Sequence, residues 1–196
     1  MLKLNITIIG VGGQGTLLAS RVIGNVALKR GYDVKMSEVH GMAQRGGSVV
    51  TNVKIDKKVA SPIIEKNEAD IILAFEKLEA LRWVDYLKPG GIMIINDQEI
   101  DPIPVIIGKA KYPKDIIKKI KDNYENIISI DALTTAKRCG TIKAVNTVLI
   151  GLMASSLEIP KEEWLDSIKE NVPERFIEVN LKAFEEGYQF GSENIE

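Results

Sequence analysis

Residues 4–15 read Leu4-Asn5-Ile6-Thr7-Ile8-Ile9-Gly10-Val11-Gly12-Gly13-Gln14-Gly15. A run rich in β-branched side chains that ends in a glycine cluster is the pattern of a buried strand entering a tight turn. From about Thr16 to Arg30 the apolar residues take helical spacing, and Gly31 stops them. Tyr32 to Met36 alternates again. Strand, glycine turn, helix and strand within 36 residues predict a βαβ unit, because parallel strands need a crossover connection.

Outward from this unit the alternation continues. Residues 48–55 (Ser-Val-Val-Thr-Asn-Val-Lys-Ile) read as a strand that turns at Asp56-Lys57-Lys58, with Pro62 confining the return segment Val59 to Ser61 to an edge. Asp70 to Phe75 and Ile92 to Ile95 are strand candidates around a helix marked by Leu78, Leu81, Val84 and Leu87, which gives a second βαβ unit. Ile103 to Ile107 is expected as a strand, Lys114 to Tyr124 as a helix and Ile127 to Ile130 as the last strand. From Leu133 the pattern is helical, with Pro160 and Pro173 where two final helices begin. The expected fold is α/β: a three-layer α/β/α sandwich on a mostly parallel, mixed sheet. Its first βαβ unit is Rossmann-like, and residues 1–196 form one domain whose helical C-terminal segment, about 133–196, packs on it.

Composition narrows the function. Hydrophobic residues are 45% and charged residues 27%, the balance of a folded globular chain. With 26 basic against 27 acidic side chains there is no net attraction to phosphate backbones, so nucleic acid is not an expected partner. Cys139 is the only cysteine, which excludes an internal disulfide and an iron–sulfur cluster ligated by this chain alone. Met1-Leu2-Lys3 runs straight into the first strand pattern, and the most apolar later stretch, Ala144 to Ala154, contains Asn146 and Thr147. A spanning helix needs about 20 apolar residues, so the expected location is cytoplasmic, with no membrane.

Two loops carry the chemistry. Gly10, Gly12, Gly13, Gln14 and Gly15 match G-x-G-x-x-G between a strand and a helix, where free backbone N–H groups and the positive helix end can hold a pyrophosphate or carboxylate. The same glycines also serve simply to pack the helix tightly on the sheet. The second loop, Ser37 to Ser48, holds the only histidine, His40, with Glu38, Gln44, Arg45, Gly46 and Gly47. With strands one and two side by side at the carboxyl edge of the sheet, this loop is expected to face the glycine loop across one crevice. Arg45 suits a carboxylate or phosphate in a two-pronged contact, and Gly46-Gly47 allows close backbone approach. His40 is a candidate proton donor or a structural hydrogen-bonder, and no catalytic residue is assigned. Glu38 sits about 20 residues past the glycines, where a ribose-binding carboxylate would stand in a dinucleotide enzyme, or it pairs with Arg45.

Together, Gly10-Val11-Gly12-Gly13-Gln14-Gly15 and Ser37-Glu38-Val39-His40-Gly41-Met42-Ala43-Gln44-Arg45-Gly46-Gly47-Ser48 resemble the gamma-subunit family of 2-oxoacid:ferredoxin oxidoreductases, and within it the indolepyruvate type. Residues 145–151 (Val-Asn-Thr-Val-Leu-Ile-Gly) and 179–184 (Val-Asn-Leu-Lys-Ala-Phe) extend the resemblance over most of the chain. Family members acting on other oxoacids often carry glutamate two residues before the arginine of Arg-Gly-Gly, where this chain has Ala43. The resemblance implies oxidative decarboxylation of an aryl pyruvate to an acyl-CoA, with coenzyme A as co-substrate and ferredoxin as electron acceptor. It places thiamine diphosphate and iron–sulfur clusters on a large partner subunit and leaves this chain without a cofactor of its own. A homodimer of the isolated chain is an open possibility, because an orphaned interface often pairs with itself. A free-standing dinucleotide-dependent oxidoreductase and a non-catalytic assembly subunit are the competing readings.

Overall fold

A computed structural model describes residues 2–41 and 47–195 of the chain. Among the described residues six strands form one sheet: β1 (Leu4–Val11), β2 (Asp33–His40), β3 (Ser48–Asp56), β4 (Ala69–Ala74), β5 (Leu87–Asn96) and β6 (Ile127–Ile130), in the order β2-β3-β1-β4-β5-β6. β3 is antiparallel to both β1 and β2, whereas β1–β4, β4–β5 and β5–β6 are parallel. Five strands therefore point one way and share a carboxyl edge; only β3 is reversed.

The first crossover is split. α1 (Thr16–Lys29) joins β1 to β2 as expected, but β1 and β2 are not neighbours, because β3 lies between them. The side chains explain the order. β3 buries Val49, Val53 and Ile55 on one face and Val50 on the other, so it suits the interior of a sheet. β2 carries Asp33, Lys35 and Glu38 and is only half-buried, which suits an edge. β2 also runs on to His40, so Glu38 lies within the strand rather than in the loop after it.

Two other sequence expectations fail for local reasons. Ile103–Ile106 is a short helix, α3, with no buried residue; Pro102 and Pro104 pre-set helical φ at its start and withhold the N–H groups a strand would need. Val59 to Ser61 forms no strand, since Val59 N–H is already taken by the Asp33 carboxylate at 2.9 Å. The helix after β4 is short, α2 (Lys77–Trp83), followed by a 3-10 turn, and α4 spans Ile116–Lys121.

Helices cover both faces. On one side α1, α5 (Ala132–Cys139), α6 (Val145–Ser155), α7 (Lys161–Asn171) and α8 (Ile177–Asn194) enclose Ile6, Ile8, Val53, Ile71, Leu73 and Ile94. On the other, α2 and α4 cover Ile9, Ile72, Met93 and Ile95 with Ala80, Ile116 and Ile120. Among the described residues no helix is long and apolar enough to cross a membrane.

α6 is buried on every side from Val145 to Ala154, so it forms the centre of the helical layer. It touches α8 backbone to backbone: a methyl group on Gly187 would sit 1.9 Å from the Val148 carbonyl oxygen, and one on Gly151 would sit 2.1 Å from that of Phe184. Neither gap can open without separating two packed helices. Gly187→Ala is expected to cost about 3 kcal/mol, at the upper end of overpacking penalties, read as a lowered urea midpoint; wild-type stability in this variant would contradict so close a contact.

Candidate functional site

The antiparallel register of β1 and β3 builds the site. Val11, the last residue of β1, opposes Ser48, the first of β3, so the glycine turn and the end of the second loop meet directly. Gly12 N–H donates to the Gly47 carbonyl at 2.9 Å. The two loops thus come together as expected, but through the start of β3 rather than the end of β2. Gln44, Arg45 and Gly46 lie outside the described residues. Glu38 and His40 sit two strands away from β1, at a spacing of roughly 10 Å. Their side chains engage one another, with His40 Nε2 2.7 Å from Glu38 Oε1, while Thr51 Oγ1 donates to Glu38 Oε2 at 3.0 Å. Both oxygens of the proposed ribose carboxylate are occupied on an edge strand, which removes the dinucleotide geometry.

At the turn, Gly13 and Gly15 have φ of +102° and +84°, and Gly15 closes onto Asn146: a side chain there would meet Asn146 Nδ2 at 2.7 Å. The N–H groups of Gly13, Gly15, Thr16 and Leu17 meet no acceptor among the described residues, and α1 has no side-chain cap. Gln14 folds back. Its Oε1 accepts from Val11 N–H at 2.8 Å, and its Nε2 donates to the Phe75 carbonyl at 3.0 Å and to Gln98 Oε1 at 3.4 Å. Gly10, at the end of β1, leaves the room this requires, since a methyl group there would lie 2.9 Å from Gln14 Oε1.

Asn96, fully buried at the end of β5, completes the arrangement. Its Nδ2 donates to the Phe75 carbonyl and to Gln98 Oε1, both at 3.0 Å, and its Oδ1 accepts from Ala132 N–H at 3.1 Å. Asn146, at the start of α6 and 4% exposed, turns its Oδ1 to Thr147 N–H at 2.8 Å, and Thr147 Oγ1 donates to Asn180 Oδ1 at 2.6 Å. These groups border a cleft of about 490 Å³ lined by Gly13, Gln14, Gly15, Gln98, Leu133, Ile142, Lys143, Val145 and Asn146. Among the described residues its lining contains no carboxylate, so it favours an acceptor-rich, anionic group.

Two buried carboxylates hold neighbouring segments of this edge in place. Glu76 caps α2 by accepting from Glu79 N–H at 2.9 Å, and its other oxygen accepts from Ile100 N–H at 3.2 Å and from the Tyr112 hydroxyl. The segment that carries α3 is thereby pinned at both ends. Burial and the Glu76 carboxylate push the Tyr112 phenol well above its usual range, so it stays a donor. Glu79 accepts from Ser48 Oγ at 2.5 Å and from Arg82 Nη1 at 2.5 Å, fixing the start of β3. Among the described residues no group of three or more His, Cys, Asp or Glu side chains is placed to hold a metal ion.

Sequence reasoning found the glycines and Gln14 but missed Glu76, Glu79, Asn96, Gln98 and Asn146. A signal existed for four of them. Glu76, Asn96 and Gln98 lie at or just past the ends of the apolar runs of β4 and β5, where ligands of open α/β sheets bind. Asn146 stands out as a polar residue in an otherwise apolar helix.

This mixed sheet with a glycine turn at its carboxyl edge is the fold of oxoacid oxidoreductase gamma subunits. The gamma subunit of keto/oxoacid ferredoxin oxidoreductase from Geobacter sulfurreducens PCA superposes with a TM-score of 0.72 at 25% identity, covering 96% of this chain and 98% of that one. The 2-oxoglutarate:ferredoxin oxidoreductase of Magnetococcus marinus shares the fold, with a TM-score of 0.74 at 18% identity over 98% of this chain and 32% of that longer one. The family model described as pyruvate ferredoxin/flavodoxin oxidoreductase matches residues 5–190, and the chain belongs to that family. Within it, indolepyruvate oxidoreductase subunit IorB of Thermococcus kodakarensis is 41% identical over 100% of this chain and 99% of its own length.

Gln14 offers a direct test of the amide arrangement. Gln14→Ala is expected to cost about 1–2 kcal/mol, by leaving Val11 N–H without an acceptor. Gln14→Glu should cost more near neutral pH, because a carboxylate oxygen then faces the Phe75 carbonyl and Gln98 Oε1. The introduced carboxyl would have a folded-state pKa raised above its unfolded value of about 4.3. The excess cost is therefore absent below that value and grows as pH rises through the folded pKa. Urea midpoints of both variants across a range of about pH 3.5 to 8, which brackets that titration, check this; a constant gap would contradict the assigned amide orientation.

Proposed function

We propose that this chain is the small subunit of an indolepyruvate-type 2-oxoacid:ferredoxin oxidoreductase and works in the cytoplasm as one folding unit. The reaction takes an aryl pyruvate anion and coenzyme A to an aryl-acetyl-CoA, carbon dioxide, two electrons and a proton. The electrons pass to ferredoxin. The observation that carries this reading is the end-to-end match at 41% identity to an indolepyruvate oxidoreductase subunit of the same length.

Thiamine diphosphate and iron–sulfur clusters, supplying decarboxylation and electron transfer, belong on the large subunit in this reading. The chemistry of this chain agrees, since Cys139 is its only cysteine and cluster ligation calls for several thiolates. The role left to this chain is binding. The glycine turn, Gln14 and the second loop with Gln44, Arg45, Gly46 and Gly47 form the wall that faces the partner's active site and seat the oxoacid or coenzyme A. Glu38 and His40, engaged with one another and with Thr51, shape that wall. Without its partner the chain pairs with itself, as an orphaned interface does. The dinucleotide reading is disfavoured by β3, which separates Glu38 from the glycine turn.

Co-expression with the large subunit, purification through a tag on this chain, and an assay of indolepyruvate- and coenzyme A-dependent viologen reduction test the proposal. A stable complex whose activity is lost when this chain is omitted is the expected result. Failure to form a complex, or activity of the large subunit alone, would remove it. In the same assay Arg45→Ala is expected to raise a Michaelis constant by about 10-fold or more, the loss of one charged hydrogen-bonding contact. Unchanged kinetics would take Arg45 out of the binding wall.

A further inference from the structure

The orientation of the Gln98 carboxamide is dictated by backbone atoms whose polarity is not in question. Val11 N–H is a donor, so the Gln14 atom it meets is oxygen, and Gln14 presents its NH₂ to the Phe75 carbonyl. Ala132 N–H fixes Asn96 in the same way, with its NH₂ also on the Phe75 carbonyl. The inner atom of Gln98 then faces two NH₂ groups, at 3.4 Å from Gln14 and 3.0 Å from Asn96, and must be oxygen. Its NH₂ is left for the cleft that Gln98 lines, and it meets no acceptor among the described residues.

The opposite wall repeats the outcome. Thr147 N–H makes the inner atom of Asn146 oxygen, so its Nδ2 turns toward Gly15 and also finds no acceptor among the described residues. Asn146 is 4% exposed, so this donor is built into the cleft rather than lying on its rim. The uncapped N-terminus of the 14-residue α1 adjoins both amides, through Gln14 and Gly15, and Lys143 lines the same cleft.

We propose that Gln98 and Asn146 are specificity-determining donors that read an anionic oxygen-rich group of a substrate held at the α1 N-terminus, and that Asn96 is the positioning residue that keeps Gln98 facing the cleft as a donor. The proposal rests on the functional reading above and names the chemistry of its binding wall. A phosphate of coenzyme A and the carboxylate of the oxoacid share that chemistry, and the assay separates them.

Gln98→Glu is the discriminating variant. Its inner oxygen still accepts from Gln14 and Asn96, so a purely structural role is preserved, while its outer atom changes from a donor to a charged acceptor. In the assembled enzyme the Michaelis constant of one substrate is expected to rise by about 10-fold or more with little change in kcat, as the loss of a binding contact does. The effect should shrink at low pH, where the introduced carboxyl regains a proton to donate. A rise for coenzyme A assigns the phosphate, and a rise for the oxoacid assigns the carboxylate. Asn96→Asp should act in the same direction, because loss of its NH₂ lets Gln98 turn its own NH₂ inward. Both Michaelis constants within about two-fold of wild type in an active complex would overturn the inference and leave the functional reading intact.

If no active complex forms, that reading falls, and the isolated full chain decides the inference. Titration with pyrophosphate and, separately, phenylpyruvate is followed on the side-chain ¹⁵N amide signals of Gln98 and Asn146. Saturable shifts of both signals with either probe, weakened about 10-fold or more by Gln98→Glu, support it; no shift with either overturns it.

Discussion

Everything at the carboxyl edge depends on the reversal of one strand. β3 runs against β1, so the residues that begin β3 lie beside those that end β1, and the hydrogen bond from Gly12 to Gly47 follows from the ladder itself. Had β2 taken the place next to β1, as the dinucleotide folds require, Glu38 would have stood at the glycine turn. β3 carries buried apolar side chains on both faces, and an interior position covers them more fully than an edge position would. Burying a valine contributes about 1.5–3 kcal/mol, far more than any exposed charge on β2 would lose at the edge. A choice made by packing thus sets which loop meets the glycine turn.

The amides at this edge form a second layer of determination. Each hydrogen bond is worth only about 1 kcal/mol net, but a buried amide left unpaired costs about 1–3 kcal/mol. The network is therefore held less by what each bond adds than by what breaking one leaves behind. Because Phe75 offers a single carbonyl to both Gln14 and Asn96, no member can turn without disturbing the others. The cleft is consequently shaped before any ligand enters, and the ordering cost of binding falls on the ligand rather than on the wall. Glu76 and Glu79 act similarly at longer range, holding the α3 segment and the start of β3 through buried carboxylates.

The sequence was legible where local pattern and tertiary role agree. The β1 run and its glycine turn, the unit from β4 through α2 to β5, and the helical C-terminal layer all follow from apolar spacing that a neighbour does not alter. It was illegible where two segments compete for one place. Tyr32 to Met36 and Ser48 to Ile55 both read as strands, and nothing within either says which one neighbours β1; only the comparison of Asp33 and Lys35 with Val49 and Val50 does. Ile103 to Ile107 misled because β-branched residues outweighed the two prolines that forbid a ladder there. Gln14 was visible through its motif, whereas Gln98 and Asn96 acquire meaning only when β5 is known to lie two places from β1.

The chemistry of the cleft also bears on why such a chain needs a partner. In the proposed reading Gln98, Asn146, Lys143 and backbone N–H groups hold an anion, but the amides and the backbone neither gain nor lose a proton near neutral pH. A wall of this kind stabilises a bound group equally before and after reaction, which lowers a Michaelis constant without accelerating the chemical step. Selection on such a surface acts on where it holds its ligand relative to reactive groups carried elsewhere. A rigid wall meets that demand better than a mobile one, since misplacement by about 1 Å can cost about 100-fold in rate. The buried amides and the pinned α3 segment stiffen this edge, and the backbone contact of α6 with α8 stiffens the helical layer packed on the sheet.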